Sequence, residues 1–138
     1  MYSAKSFILN LPNGAYDMAS SNPNRVPTEI KLHQRSRVME LSFSDGRNFS
    51  LPYEFLRVYS PSAEVRGHGP GQEVLQSGKK DIDIVSLEPV GTYAIQPKFS
   101  DGHDTGLYSW EYLYDLGMRQ QALWQDYLAR LTAAGASR

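Results

Sequence analysis

The chain has 138 residues, a net charge of −1 and no cysteine. That length fits one domain. The absence of cysteine excludes disulfides, thiolate nucleophiles and thiolate-ligated zinc or iron–sulfur clusters within the chain. The near-neutral charge supplies no overall basic field for nucleic acid or anionic lipid, and no apolar run approaches the roughly 20 residues of a membrane span.

Residues 1–27 read as a leader. Pro12-Asn13-Gly14, Ser20-Ser21-Asn22-Pro23-Asn24 and Pro27 are turn and breaker chemistry with little periodicity. Partial disorder is expected there, with Phe7-Ile8-Leu9 the one piece suited to docking. These three apolar residues fall short of the roughly 7–15 of a secretory signal core, so a cytoplasmic location is the default expectation. From Thr28 the pattern turns to strands. Ile30 and Leu32 alternate with Lys31 and His33, and Met39, Leu41 and Phe43 with Glu40 and Ser42. Period-2 alternation predicts one buried and one wet face. Asp45-Gly46 predicts a turn, Phe49 and Leu51 lead back, and Pro52 to Tyr59 reads as one or two helical turns.

Residues 60–80 form a long polar connection, with three Gly and one Pro in Gly67-His68-Gly69-Pro70-Gly71 forbidding regular structure there. Strands resume through Ile82, Ile84, Val85 and Leu87, then Tyr93, Ile95 and Phe99. The phrase Phe-Ser-Asp-Gly, first met at 43–46, recurs at 99–102 and predicts a second turn. Ser109 reads as a helix N-cap before Trp110, Leu113 and Tyr114, with Gly117 ending or bending that helix. Leu123, Trp124, Tyr127, Leu128 and Leu131 predict a last amphipathic helix over about 119–133, followed by a tail expected to fray. The sum is an α+β domain over 28–135: a mainly antiparallel sheet built from hairpins, with C-terminal helices packed on one face.

The stretches Pro27-Thr28-Glu29-Ile30, Leu56-Arg57-Val58-Tyr59-Ser60-Pro61-Ser62-Ala63-Glu64, Glu88-Pro89-Val90-Gly91-Thr92-Tyr93-Ala94 and Phe99 through Trp110 carry a family resemblance, together with the first Phe-Ser-Asp-Gly. On these residues the chain resembles the gamma-butyrobetaine hydroxylase-like N-terminal domain family, in its short, free-standing bacterial form. In carnitine-pathway dioxygenases a similar domain precedes the catalytic one and holds a structural zinc through three cysteines and a histidine. In some plastid proteins a similar domain follows an iron–sulfur carrier. The resemblance aligns Ser60-Pro61-Ser62 with the Cys-Pro-Cys-like stretch, Val65 with the third cysteine and His103 with the histidine. It therefore implies that the tetrahedral zinc site is absent.

Two readings of function follow, from different classes. The first is a non-enzymatic accessory domain that docks on another protein, an iron–sulfur carrier or an iron-dependent oxygenase. Its candidate contact residues are Arg57, Arg66, His68, Tyr108 and Trp110, because Arg and aromatic side chains dominate interface energetics. The second is an iron- or zinc-binding protein using His103, Asp101 and His68, since imidazole with carboxylate suits such metals. Against it stands a turn-forming Asp101 with a hydrogen-bonded His103. No cofactor is expected on the first reading. No Gly-x-Ser-x-Gly elbow accompanies the serines and histidines, so no catalytic residue is assigned. The Gly-rich loop lacks the strand–loop–helix context of a phosphate cradle, and neither nucleic acid nor membrane is an expected partner.

Overall fold

The computed structural model describes residues 4–7, 25–67 and 69–138. Among these described residues, seven strands and four helices follow in order: β1 (Ala4–Phe7), β2 (Pro27–His33), β3 (Val38–Phe43), β4 (Asn48–Pro52), α1 (Tyr53–Val58), α2 (Ala63–Arg66), β5 (Ile84–Val90), β6 (Ala94–Phe99), β7 (Tyr108–Ser109), α3 (Trp110–Met118) and α4 (Gln120–Ala134). The hairpins distribute into two antiparallel sheets, β1-β2-β3-β4 and β5-β6-β7. The class is α+β. Of the leader, residues 1–3 and 8–24 lie outside the described residues, whereas Ala4–Phe7 extends the first sheet by pairing with β2. No helix among the described residues is long and apolar enough to cross a membrane.

The alternation read from the sequence sets the core. Ile30, Leu32, Met39, Leu41, Phe43 and Leu51 of the first sheet are buried. They pack in one cluster with Ile84, Leu87, Ile95 and Phe99 of the second and with Phe55, Leu56, Trp110 and Leu113 of the helices. Each such side chain contributes roughly 1.5–3 kcal/mol by leaving water. Every residue of α1 is buried, including Glu54 and Arg57. Ser109 caps α3 as expected, its hydroxyl accepting the Tyr112 N–H at 3.1 Å. Gly117 lies near the break between α3 and α4, but its constraint is packing: a Cβ there would sit 2.4 Å from the Phe49 ring. The helix α2 departs from the expected loop. It forms because Ser62, held extended after Pro61, turns its hydroxyl back to accept the Glu64 N–H at 3.2 Å. The final segment is exposed, as expected of a fraying tail, yet its Arg138 pairs with Glu54.

The two sheets are built on one plan. In each, a strand with an irregular register at its start (β2, β5) pairs with a middle strand (β3, β6) that ends in Phe-Ser-Asp-Gly. Both turns make the same backbone bonds. The Phe43 N–H reaches the Arg47 carbonyl at 2.8 Å and the Phe99 N–H the His103 carbonyl at 2.9 Å. The glycines take φ of 91° and 89°, left-handed values that favour residues without a Cβ. Each return strand then enters a helix whose first N–H binds the carbonyl preceding the middle strand, Tyr53 to Arg37 and Trp110 to Tyr93. The chain is thus a doubled βββα unit. The two copies differ at the second turn, where 103–107 stays irregular before β7 pairs.

Candidate functional site around the second turn

Asp101 makes the second turn and then joins it to the rest of the fold. Its Oδ1 accepts the His103 N–H at 3.1 Å, an Asx-type closure. Its Oδ2 accepts Arg57 Nε from α1 at 3.0 Å and Lys79 Nζ from the long connection at 2.7 Å. Burial pushes this carboxyl up, but Lys79, the His103 N–H and Arg57 outweigh it and hold the pKa at about 2. The Arg57 side chain is buried, and its Nη1 has no hydrogen-bond partner among the described residues.

His103 is fixed on both ring nitrogens. Nδ1 lies 3.0 Å from Glu64 Oε2 on α2, and Nε2 lies 2.8 Å from Ser60 Oγ. A carboxylate only accepts, so Nδ1 carries the proton, Nε2 accepts, and the Ser60 hydroxyl donates to it. Ser60 Oγ in turn accepts the Ser62 N–H at 3.2 Å. Beside this chain Ser62 Oγ and Thr105 Oγ1 are 2.6 Å apart. Burial lowers the His103 pKa and the Arg57 charge adds to that, against Glu64 and Asp101. The hairpin comes this close because residue 106 is glycine: a Cβ would lie 2.5 Å from Ser60 Oγ.

The donors present do not fit a tetrahedral zinc. Ligands on such an ion are roughly 3.4 Å apart, whereas Ser60 Oγ and His103 Nε2 touch at hydrogen-bond distance. Val65 offers no donor. Of the sequence-stated metal set, the structure puts His103 and Asp101 in adjacent but separate networks, and His68 lies outside the described residues. No group of three His, Asp or Glu side chains converges among the described residues. The order Ser60–His103–Glu64 has the form of a nucleophile relay; Ser60 is 1% exposed and borders a neighbouring groove.

An open feature beside this network is a groove of about 520 Å³. Val58 and Tyr59 close α1's end of it; Val65, Arg66 and Val74 form one wall, and Tyr112, Leu116 and Leu123 of α3 and α4 the other. Its tyrosines are satisfied internally, Tyr59 by the Leu123 carbonyl at 2.6 Å and Tyr112 by the Tyr59 carbonyl. Arg119 and Arg130 at its rim pair with Asp115 and Asp126. Arg66 stands over the Tyr112 ring, 5.3 Å from its centroid. Of the expected contact residues, Arg66 reaches this surface, and His68 lies outside the described residues. Arg57, Tyr108 and Trp110 are at most 7% exposed, so they belong to the core and the ion-pair network rather than to a docking face. Trp110 donates its indole N–H to the Thr92 carbonyl and Tyr108 its hydroxyl to the Leu56 carbonyl. The aromatic pattern could not separate these from Tyr59 and Tyr112, which line the groove with Leu123.

A doubled βββα fold with a clamped polar turn and an adjoining neutral groove defines a small α+β domain without a convergent metal centre among its described residues. The model for the family "Gamma-butyrobetaine hydroxylase-like, N-terminal" matches residues 30–114, and the chain belongs to that family. Two proteins solved by NMR in solution are similar at 52% and 51% identity. The first match covers 90% of this chain and 91% of the other at a TM-score of 0.74, the second 83% and 90% at 0.72. A crystal structure of a protein of unknown function from Acidithiobacillus ferrooxidans ATCC 23270, of the DUF971 family, is 41% identical; the match covers 70% of this chain and 98% of that one at a TM-score of 0.59. No curated protein matches the chain.

Proposed function

We propose that this chain is a non-enzymatic accessory domain that docks on another protein through the groove between α2 and the α3–α4 pair. The observation carrying this reading is the groove's chemistry. Its floor is apolar and aromatic, its tyrosine hydroxyls are spent on backbone carbonyls, and two of its rim arginines are already paired. Such a surface gains little from a polar small molecule and most from apolar side chains of a partner segment, with Arg66 and Tyr112 as the anchor pair. The resemblance suggests an iron–sulfur carrier or an iron-dependent oxygenase as the partner, and that choice rests on the resemblance alone.

The test is affinity capture with the intact chain, a Leu123→Glu variant in the groove and a Val85→Glu variant on the exposed face of β5. The expected result is a partner retained by the chain and by Val85→Glu but lost by Leu123→Glu, with all three equally folded by circular dichroism. A partner held equally by Leu123→Glu removes the groove from the reading.

A further inference from the structure

Glu54 is a charged residue inside α1 whose side chain is 6% exposed. A buried carboxylate is costly unless paired. The guanidinium that pairs with it comes from no helix or strand but from the segment after α4. Gly135 takes the left-handed conformation that ends α4 and reverses the chain. The Ser137 carbonyl then accepts the Gly78 N–H at 3.0 Å. Arg138 lays its guanidinium side-on against Glu54, with Nη2 at 2.7 Å from Oε1 and Nε at 3.1 Å from Oε2. The same guanidinium sits over Trp124, 5.3 Å from the ring centroid, and the charge of Asp81 adds to the attraction. A planar fork on a carboxylate with an aromatic face is the arrangement that selects guanidinium over ammonium.

The asymmetry of this pair is informative. The carboxylate is fixed by a fully buried helix, while the guanidinium is 44% exposed on a segment whose residues 135–138 are all exposed. Segments with few buried contacts open at little free-energy cost. Trp124 also borders a second recess, of about 440 Å³, with Pro52, Phe55 and Met118, where an apolar neighbour of an incoming arginine would rest.

We propose that Glu54 and Trp124 form an arginine-recognition site, occupied in this structure by the chain's own Arg138. An arginine side chain on a segment of a partner protein takes the site when the tail leaves it. The tail is then an intramolecular competitor whose presence sets how tightly the partner must bind. This surface is separate from the groove of the proposed function, so either stands if the other fails.

The test uses N-acetyl-argininamide as the probe and the Trp124 indole NMR resonance as the readout. The Trp110 indole, held on Thr92, serves as the internal control. In Arg138→Ala the probe is expected to shift Trp124 saturably. In the intact chain the midpoint should be about tenfold higher or more, because a tethered competitor acts at an effective concentration of order millimolar. N-acetyl-lysinamide should bind more weakly, and Glu54→Gln combined with Arg138→Ala should abolish the shift. Absence of a saturable shift in Arg138→Ala, or equal midpoints with and without Arg138, overturns the assignment. Should Arg138→Ala fail to fold, Arg138→Lys keeps a charge on Glu54 without the fork. The probe midpoint must then fall below that of the intact chain; an unchanged midpoint overturns the proposal.

Discussion

At the first Phe-Ser-Asp-Gly turn, Asp45 closes the turn onto the Arg47 N–H at 2.9 Å, accepts the Tyr114 hydroxyl at 2.6 Å and lies 3.9 Å from the mostly exposed Arg47 Nε. At the second, Asp101 closes the turn in the same way and takes two cations, one of them buried. Two residues after the aspartate stands Arg47, mostly exposed, in one copy and His103, buried, in the other. The backbones match, so the difference lies in what each turn faces. The first turn packs on α3 through Tyr114. The second faces α1, α2 and the long connection, and its side chains tie all three together. A repeated motif thus does two jobs: it fixes a hairpin in both places and assembles a clamp in one.

The comparison breaks first if removing the two aspartates costs the same. Asp101→Ala strands the buried Arg57 guanidinium, whose Nη1 already lacks a partner among the described residues. Leaving a buried charge uncompensated sits at the severe end of single substitutions. A loss of about 2–3 kcal/mol is expected, the lower part of that range because Asp101 itself keeps some contact with water. Asp45→Ala removes a turn closure and one tyrosine bond and should cost clearly less. Urea unfolding of the two variants side by side measures the gap, and equal shifts in midpoint would remove the special status of the second turn.

The residues two places on sharpen it. His103→Gln should destabilise by about 1–2 kcal/mol, since Ser60 and Glu64 both lose their partner geometry. Arg47→Ala should fall within about 0.5 kcal/mol. The pH dependence separates them further. Burial and Arg57 lower the native His103 pKa below the unfolded value near 6.5. The unfolded chain therefore binds the proton more readily. His103's contribution is complete above about pH 6.5 and is lost as pH falls through the lowered native value. Asp101, held at about 2, contributes fully above about pH 3.9 and is lost as pH falls toward 2. Unfolding free energy followed from about pH 7 to 5 should decline in the native chain and flatten in His103→Gln. A slope unchanged by that substitution would show that another group titrates.

How legible was this in the sequence? The hairpins were, because Asp-Gly between alternating runs is a local signal, and so was the last helix, from the spacing of Leu123, Tyr127 and Leu131. The doubling of the whole βββα unit was not. Apart from Phe-Ser-Asp-Gly its equivalences are backbone bonds, such as Tyr53 to Arg37 and Trp110 to Tyr93, which any side chains can make. Short α2 was hidden in a polar stretch where one Ser62 cap outweighed weak periodicity. Arg57 and Trp110 looked like contact residues because composition reports residue type and not depth; their burial is decided by α1 and α3 closing over the sheets. Glu54 drew no attention because nothing local tells a buried carboxylate from a solvated one. Its partner lies 84 residues away.

The smallest expected effect concerns metal. The resemblance places His103 where relatives hold zinc, and the alternative reading asks it to bind iron or zinc with Asp101. In this chain a metal would have to displace Ser60 from Nε2 or Glu64 and the ring proton from Nδ1, and would gain few ligands in return. Asp101 Oδ2 already carries Lys79 and Arg57, and drawing it to a dication would place three positive centres on one carboxylate oxygen. Protein purified without chelator and without air should therefore hold well below one equivalent of iron or zinc, and His103→Ala should leave that content unchanged. One equivalent of either metal, lost in His103→Ala while the fold is retained, would mean that the second turn rearranges around an ion. The clamp between Ser60, Glu64 and His103 would then be the metal-free state of a binding site, and the contrast between the two turns would be one of chemistry rather than of packing.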